Sequence, residues 1–139
     1  VPARAFFVDW YLTALEPAEI VTAVLLPAPD ARGAGVYVKH ARVAGDYATA
    51  SVALVRHGDG RLRVAVGACG PTPLADDGAD ALLSASADAA AIAQAGVALQ
   101  AIADPLDDVR GSADYRRTLI PRLLQRAVRA VTADRGASA

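Results

Sequence analysis

The hydrophobic period changes midway along this 139-residue chain, and that change constrains the fold more than any other feature. Residues 35–69 tend to alternate between apolar and polar side chains, which is typical of strands that bury one face. From Asp76 onward, apolar residues recur at helical spacing instead. Strands followed by helices, without βαβ alternation, predict an α+β two-layer sandwich. We expect an antiparallel sheet of three to four strands, followed by three helices packed on one face.

Local signals place the strands. The segment before Pro27 is rich in β-branched residues, and residues 57–60 supply the glycines of a tight hairpin. The predicted strands are Ile20–Leu26, Gly35–Val43, Thr49–His57 and Arg61–Cys69. The last three are expected to form an antiparallel meander. A short helical turn over residues 2–8 is expected to pack its two phenylalanines inward.

The helices follow in the second half of the chain. Their predicted ranges are Asp76–Ala85, Asp88–Ala103 and Ser112–Val131. Ser112 is a suitable cap for the last helix, whose arginines fall largely off its apolar stripe. Pro121 lies inside that helix and is expected to kink or split it near Arg117. Gly136–Ala139 is expected to be a frayed tail.

Composition excludes several classes of partner and site. A net charge of −1 gives no reason to expect a nucleic acid or an anionic membrane as partner. Pro27 and Pro29 end the longest apolar run before it reaches the roughly 20 residues of a membrane-spanning helix. The single cysteine, Cys69, excludes an intrachain disulfide and predicts a reducing, cytoplasmic location. His40 and His57 have no further ligands at metal-binding spacing, so no metal site is predicted.

No catalytic residue is predicted either. Ser51, Thr72 and Ser112 lack a base at a spacing that would activate them. Asp46 is interpreted as a turn residue rather than as an acid or base. Residues 67–73 contain glycine and proline but not the order of a phosphate-binding loop. We interpret that segment as the crossing from the sheet to the helices.

The segment Asp107–Arg117 concentrates charges just before the last helix. Its acids and Arg110 either form a network that fixes this helix or contacts a partner, or they are solvated charges around a helix cap. Three planar side chains, Trp10, Tyr11 and Tyr37, likewise allow two interpretations. They either pack in a core or interface, or lie against a flat cofactor.

Four segments, in order, resemble a known family. They are FFVDWYLTALEPAEIVTAVLLP (Phe6–Pro27), VKHARVAGDYATASVAL (Val38–Leu54), VAVGACGPTP (Val64–Pro73) and DPLDDVRGSADYRRTL (Asp104–Leu119). The series resembles the C-terminal domain of the FAD-binding (medium) subunit of molybdenum hydroxylases, the carbon monoxide dehydrogenase and xanthine dehydrogenase group. By this resemblance residues 1–139 are one domain, and the N-terminal FAD-binding domain is absent from the chain. The lack of an initial methionine also predicts a fragment.

The resemblance implies a role in electron transfer. The domain would cover FAD and dock partner subunits, while [2Fe-2S] clusters and the molybdenum cofactor lie on an iron–sulfur subunit and a molybdenum subunit. Electrons would pass from the clusters through the flavin to an external acceptor. Val21 and Lys39 match positions that approach FAD in the family, and Tyr11 lies in a segment near the flavin ring. A cation such as Lys39 beside the ring would stabilise the negative charge of the reduced flavin.

Other interpretations stay open. The chain is alternatively a cofactor-free protein interaction domain. A self-contained small enzyme is a third possibility, against which the lack of a catalytic cluster argues. On chemistry alone, Lys39 is also well explained as an outward-facing lysine on a half-exposed strand. The substrate of the whole enzyme is not encoded in these residues.

Overall fold

The computed structural model describes residues 1–28 and 30–133, which form an α+β fold. The elements are α1 (Ala3–Phe6), β1 (Phe7–Asp9), β2 (Leu12–Thr13), β3 (Ala34–His40), β4 (Ala50–Arg56), β5 (Leu62–Gly67), α2 (Asp77–Ala85), α3 (Ala89–Ala101) and α4 (Ala113–Ala133). Strands β3, β4 and β5 form an antiparallel sheet in that order, and β1 and β2 form a separate hairpin. The predicted meander and the three helices after it are confirmed, with boundaries that shift by a few residues.

One face of the sheet carries the hydrophobic core. Strand register aligns two rows of apolar side chains across β3, β4 and β5, namely Val38, Val52 and Val66, and Val36, Leu54 and Val64. Helices α4 and α2 lie against the sheet, and α3 packs against both helices. The buried apolar positions of α4 recur every three or four residues, from Leu119 to Val131. Full burial of one such side chain contributes about 1.5–3 kcal/mol, so these rows fix the two-layer arrangement.

The free edge of β5 is closed by groups that follow it in the chain. The carboxylate of Asp80, on α2, accepts a hydrogen bond from the Val64 N–H at 2.8 Å. The backbones of Val66 and Leu74 exchange two hydrogen bonds, of 2.8 and 2.9 Å. These contacts satisfy strand donors that would otherwise pair with another chain. The segment between β5 and α2 is thus the crossing that the sequence predicts.

The predicted strand Ile20–Leu26 is wrong for this structure. The segment has no regular secondary structure and makes no backbone hydrogen bond among the described residues. Its side chains are exposed, with Val24 at 76% and Leu25 at 93%. The reason is physical: a strand needs a neighbouring strand, and no strand of the described residues pairs with this segment.

The inward packing predicted for the two phenylalanines is also wrong. Phe6 is half-buried and Phe7 is 46% exposed, because the chain turns there into the β1–β2 hairpin. No residue of 1–28 is buried. Among the described residues, no hydrogen bond joins 1–28 to 30–133. The core therefore belongs to the second of these ranges.

Pro121 does not split α4, so that part of the prediction of a kink or split near Arg117 is wrong. The helix runs unbroken from Ala113 to Ala133. Proline has no N–H to offer the Arg117 carbonyl one turn earlier. Gln100 of α3 supplies the missing donor, with its Nε2 at 2.9 Å from that oxygen. Gly96 of α3 leaves room for the ring, since a Cβ there would lie 2.9 Å from the Pro121 Cβ.

Arg116 is the exception to the predicted polar face of α4. It is only 5% exposed. Its Nη1 donates to the carbonyls of Thr49 at 2.7 Å and Ala68 at 3.2 Å, and its Nη2 donates to the carboxylate of Asp108. One guanidinium thus joins the start of β4, the end of β5 and the loop before α4. At the same helix end, the predicted cap is confirmed, since the Ser112 hydroxyl accepts from the Tyr115 N–H.

The predicted tail Gly136–Ala139 lies outside the described residues. Over residues 1–28 and 30–133, no helix has the length and apolar character that crossing a membrane would require.

Replacing Arg116 with methionine tests whether its guanidinium stabilises the fold by joining β4, β5 and the loop before α4. We expect Arg116→Met to lower the free energy of unfolding by about 3 kcal/mol, because buried carbonyls and a carboxylate lose their donors. The exposed Arg126→Met, on the same helix, is the control, with an expected change within about 0.5 kcal/mol. Urea denaturation followed by circular dichroism measures both. Equal losses in the two variants would contradict the role given to Arg116.

A double-mutant cycle tests the compensation of Pro121. We expect Gln100→Ala to cost about 1 kcal/mol, because the Arg117 carbonyl loses its donor. In a Pro121→Ala background that cost should largely vanish, because the alanine N–H would bond the same oxygen. Urea denaturation of the original chain, the two single variants and the double variant gives the coupling free energy between Gln100 and Pro121. Additive effects would mean that Gln100 does not act through this carbonyl.

Candidate functional site

A cavity of about 660 Å³ lies on the face of the sheet opposite the core. Tyr37, Ser51 and Gly67 line it, and they occupy strand positions that alternate with the buried valines and leucines. Gly67 leaves room for the Ser51 hydroxyl, because a Cβ there would lie 2.6 Å from the Ser51 Oγ. The volume falls in the range of small-molecule sites. The outer face of the sheet is therefore the floor of a candidate binding site.

Loops from distant parts of the chain form the walls. They are the β1–β2 turn with Trp10 and Tyr11, the β3–β4 connection with Tyr47 and Ala48, and the segment Leu106–Arg110, to which Ala68 and Arg116 add. The cavity thereby gathers the one tryptophan and three of the four tyrosines of the sequence. Aromatic rings provide flat apolar surface with polar edges, which suits a planar ligand.

Two cavity residues hold a backbone conformation that side chains disfavour. Tyr11 has φ +55° and Ala68 has φ +62°, both in the left-handed region. The Ala68 carbonyl is fixed by Arg116, whereas Tyr11 occupies the two-residue turn of the β1–β2 hairpin. Such strain persists only where surrounding contacts impose it, and it clusters at binding sites.

Charges on one wall are paired. The Arg110 guanidinium lies 5.2 Å from the centre of the Tyr47 ring, and its Nε is 3.5 Å from a carboxylate oxygen of Asp46. The Arg110 backbone N–H, and then the Arg116 guanidinium, lower the pKa of Asp108 below its ordinary 3.8. The Tyr47 backbone N–H lowers the pKa of Asp46 in the same way. Both carboxylates are therefore ionised at neutral pH, and of the two interpretations of Asp107–Arg117 the structure favours the network.

Two donors on this wall have no partner. The Nε atoms of Arg110 and Arg116 are buried and make no hydrogen bond within the described residues. The 3.5 Å separation between Arg110 and Asp46 is an ion pair without hydrogen-bond geometry. Buried donors normally find acceptors, so these two atoms are exceptions, and because they are shielded from solvent a ligand in the cavity does not reach them.

The arrangement is suited to binding rather than to reaction. Burial raises the pKa of the Cys69 thiol to about 11, which removes the one cysteine as a nucleophile at neutral pH. In the described part of the chain, no three His, Cys, Asp or Glu side chains converge as they would around a metal ion. What the site offers is aromatic surface, cations and ionised carboxylates.

The predicted site residues fall into different places. Tyr11 lines the cavity, with a fully exposed side chain at its mouth. Lys39 does not line it, but it is in register with Ser51 and Gly67, and its Nζ donates to the Asp46 carbonyl at 2.8 Å. Val21 lies outside the cavity in the unpaired segment and is 53% exposed. The geometry thus brings Tyr11 and Lys39 to one side of the sheet and leaves Val21 apart.

Several cavity residues were not predicted as a group. Tyr47 and Ala68 reach the site through loops, and Arg116 through its bonds to Thr49, Ala68 and Asp108, and the sequence has no local signal for these contacts. Tyr37 did have a local sequence signal, because it alternates with Val36 and Val38 and so lies on the outer face of the sheet.

Comparison with known proteins agrees with the resemblance noted in the sequence. The profile of the family described as "CO dehydrogenase flavoprotein C-terminal domain" matches residues 35–131. The medium chain of carbon monoxide dehydrogenase from Hydrogenophaga pseudoflava is 36% identical over 96% of this chain and 48% of its own length. The nicotine 6-hydroxylase medium subunit from Paenarthrobacter nicotinovorans is 34% identical over 92% of this chain and 46% of its own. The chain thus spans about half the length of these curated relatives.

Solved structures match as well. Carbon monoxide dehydrogenase from Hydrogenophaga pseudoflava superposes with a TM-score of 0.86 at 36% identity, over 96% of this chain and 48% of that one. Quinoline 2-oxidoreductase from Pseudomonas putida 86 superposes with a TM-score of 0.82 at 26% identity, over 94% and 47% of the two chains. The profile, the relatives and the fold agree, and the chain belongs to the CO dehydrogenase flavoprotein C-terminal domain family.

Proposed function

We propose that this chain forms one wall of an FAD site in the medium subunit of a molybdenum hydroxylase of the carbon monoxide dehydrogenase type. The observation that carries the proposal is the aromatic-lined cavity on the outer face of the sheet. The family description and the medium-chain names of the relatives supply the identity of the planar ligand.

The cavity residues fit a flavin. Trp10, Tyr37 and Tyr47 offer flat surfaces for the ring system. The sequence contains no glycine-rich dinucleotide fingerprint, so another part of the subunit must hold the pyrophosphate. The fully exposed Tyr11 at the mouth is consistent with a site that this chain closes on one side only.

Bound flavin supplies the ability to accept and release electrons singly or in pairs. The residues of this chain would orient the ring by stacking and keep water from one of its faces. Lys39, on the same side of the sheet as the cavity, would place a positive charge near the ring and stabilise its reduced, anionic form, whereas the charge of Arg110 is offset by Asp46 and Asp108. No side chain here is assigned a proton transfer, since Asp46 and Asp108 stay ionised and the Cys69 thiol stays protonated at neutral pH.

The partners in this proposal are the FAD-binding part of the same subunit, an iron–sulfur subunit with [2Fe-2S] clusters and a subunit with the molybdenum cofactor. The domain would dock these subunits while electrons pass from the clusters to an external acceptor in the cytoplasm. Relatives named for carbon monoxide and for nicotine match this chain almost equally, at 36% and 34% identity. We therefore place substrate selection outside this domain.

Flavin retention tests the proposal. The chain is mixed with FAD and with the part of the Hydrogenophaga medium chain that lies outside the match, and is then gel-filtered. We expect the visible absorbance of bound flavin in the mixture and none with the 139-residue chain alone. The absence of flavin in both samples would contradict the proposal and favour the cofactor-free interaction domain.

A matched pair of variants locates the flavin in that mixture. Tyr37→Ala should weaken FAD binding about fivefold, because a ring contact contributes about 1 kcal/mol. Val55→Ala removes apolar surface from the same sheet face outside the cavity and should leave the affinity unchanged. Flavin fluorescence titration measures both, and equal effects would place the flavin elsewhere.

Lys39 has its own test in the same flavin-loaded mixture. Lys39→Ala should make the flavin reduction potential more negative and lower the affinity for FAD, because the reduced ring loses a nearby positive charge. Lys39→Arg, which keeps the charge, should restore most of both. An unchanged potential and affinity in Lys39→Ala would identify Lys39 as an ordinary surface lysine.

A further inference from the structure

We infer that Ile20–Leu26 is a strand of the adjoining, flavin-holding part of the subunit, where it pairs along a sheet edge and is covered on both faces. The inference rests on the proposed function, since that part of the subunit is its proposed partner. It also differs from the expectation that residues 1–139 are one domain, because it assigns residues 1–28 to the neighbouring unit.

The composition of the segment indicates a strand that is buried on both faces. Its sequence, IVTAVLL, has no charged residue and is rich in β-branched side chains. Strands with one solvated face alternate between apolar and polar residues, as β5 does here. A nearly continuous apolar run, interrupted here only by Thr22, instead belongs to a strand that has layers on both sides.

The described residues do not cover either face of this segment. The consecutive residues Val24, Leu25 and Leu26 are 76%, 93% and 82% exposed, so side chains on both sides of the backbone face solvent. The backbone of the segment makes no hydrogen bond among the described residues. Contiguous exposed apolar surface of this kind marks an interaction site.

Two boundaries place the segment with the neighbouring unit. Residues 1–28 contain no buried residue and share no hydrogen bond with 30–133 among the described residues. The family profile begins at residue 35, whereas the match to the Hydrogenophaga medium chain covers 96% of this chain. The segment therefore occurs in relatives that have both parts, yet lies outside the region that defines the C-terminal domain.

A second copy of the chain is a poorer occupant. Pairing of two copies of Ile20–Leu26 would satisfy the backbone but form a two-stranded ribbon with both faces bare. The apolar side chains require cover as well as pairing. An edge of a larger sheet with layers on both faces supplies both.

Hydrogen exchange tests the inference in the mixture of this chain with the unmatched part of the Hydrogenophaga medium chain and FAD. In the chain alone, the amides of Ile20–Leu26 should exchange at the rate of an unfolded peptide. In the mixture their exchange should slow by about 100-fold or more, as for paired strands. Mass spectrometry of proteolytic fragments reads the two rates.

A matched pair of valines tests the burial. Val24→Asp should weaken association of the two parts by about 100-fold, because it places a charge between covering layers. Val97→Asp alters a valine of similar exposure on α3 and should change the affinity less than about twofold. Val24→Asp should not lower the melting temperature of the chain alone, because the residue is exposed there.

The outcomes separate the two proposals. Bound flavin with freely exchanging Ile20–Leu26 overturns this inference alone, whereas protection without bound flavin overturns the flavin proposal alone. Protection of the chain by itself that grows with concentration identifies a second copy as the occupant and overturns the inference. Failure of the two parts to associate contradicts both proposals.

Discussion

One buried guanidinium sets the geometry on which the candidate site depends. Arg116 donates to two backbone carbonyls, Thr49 and Ala68, and to the carboxylate of Asp108. The hydrophobic core would still hold α4 against the sheet without it, but the two carbonyls and the carboxylate would then lose the Arg116 donors. Because Ala68, Asp108 and Arg116 itself line the cavity, the contact that anchors the helix also shapes the wall.

Side chains that alternate along the strands place the residues of the core on one face of the sheet and those of the cavity on the other. Along β4, Val52 and Leu54 face the helices and are fully buried, whereas Ser51 lies on the opposite face and lines the cavity. Gly67 of β5 is in register with Ser51, and its lack of a side chain leaves room there for the Ser51 hydroxyl. Substitutions at the first set should therefore change folding, and those at the second should change binding.

Local signals predicted most of the fold and less of the site. Periodicity identified β3 to β5 and the three long helices, because alternation and helical spacing follow directly from which face is buried. It failed at Ile20–Leu26, which pairs with no strand of the described residues, and at Pro121, where the predicted split is absent and Gln100 from another helix replaces the lost hydrogen bond. Arg116 was misplaced because the carbonyls that it bonds are distant in sequence. Such non-local partners decide the cavity, which explains why Tyr47 and Ala68 were not predicted, whereas Tyr11 was named from the family resemblance.

The central claim is that the outer face of the sheet, and not the helical face, meets the flavin. Amide chemical shifts of the ¹⁵N-labelled 139-residue chain, recorded as the unlabelled FAD-loaded part of the Hydrogenophaga medium chain is added, test it most directly. The account predicts large shifts at Tyr37, Tyr47, Ala68 and Arg110, and almost none along the exposed positions of α3. Shifts confined to the helices, with the cavity residues unmoved, would contradict it.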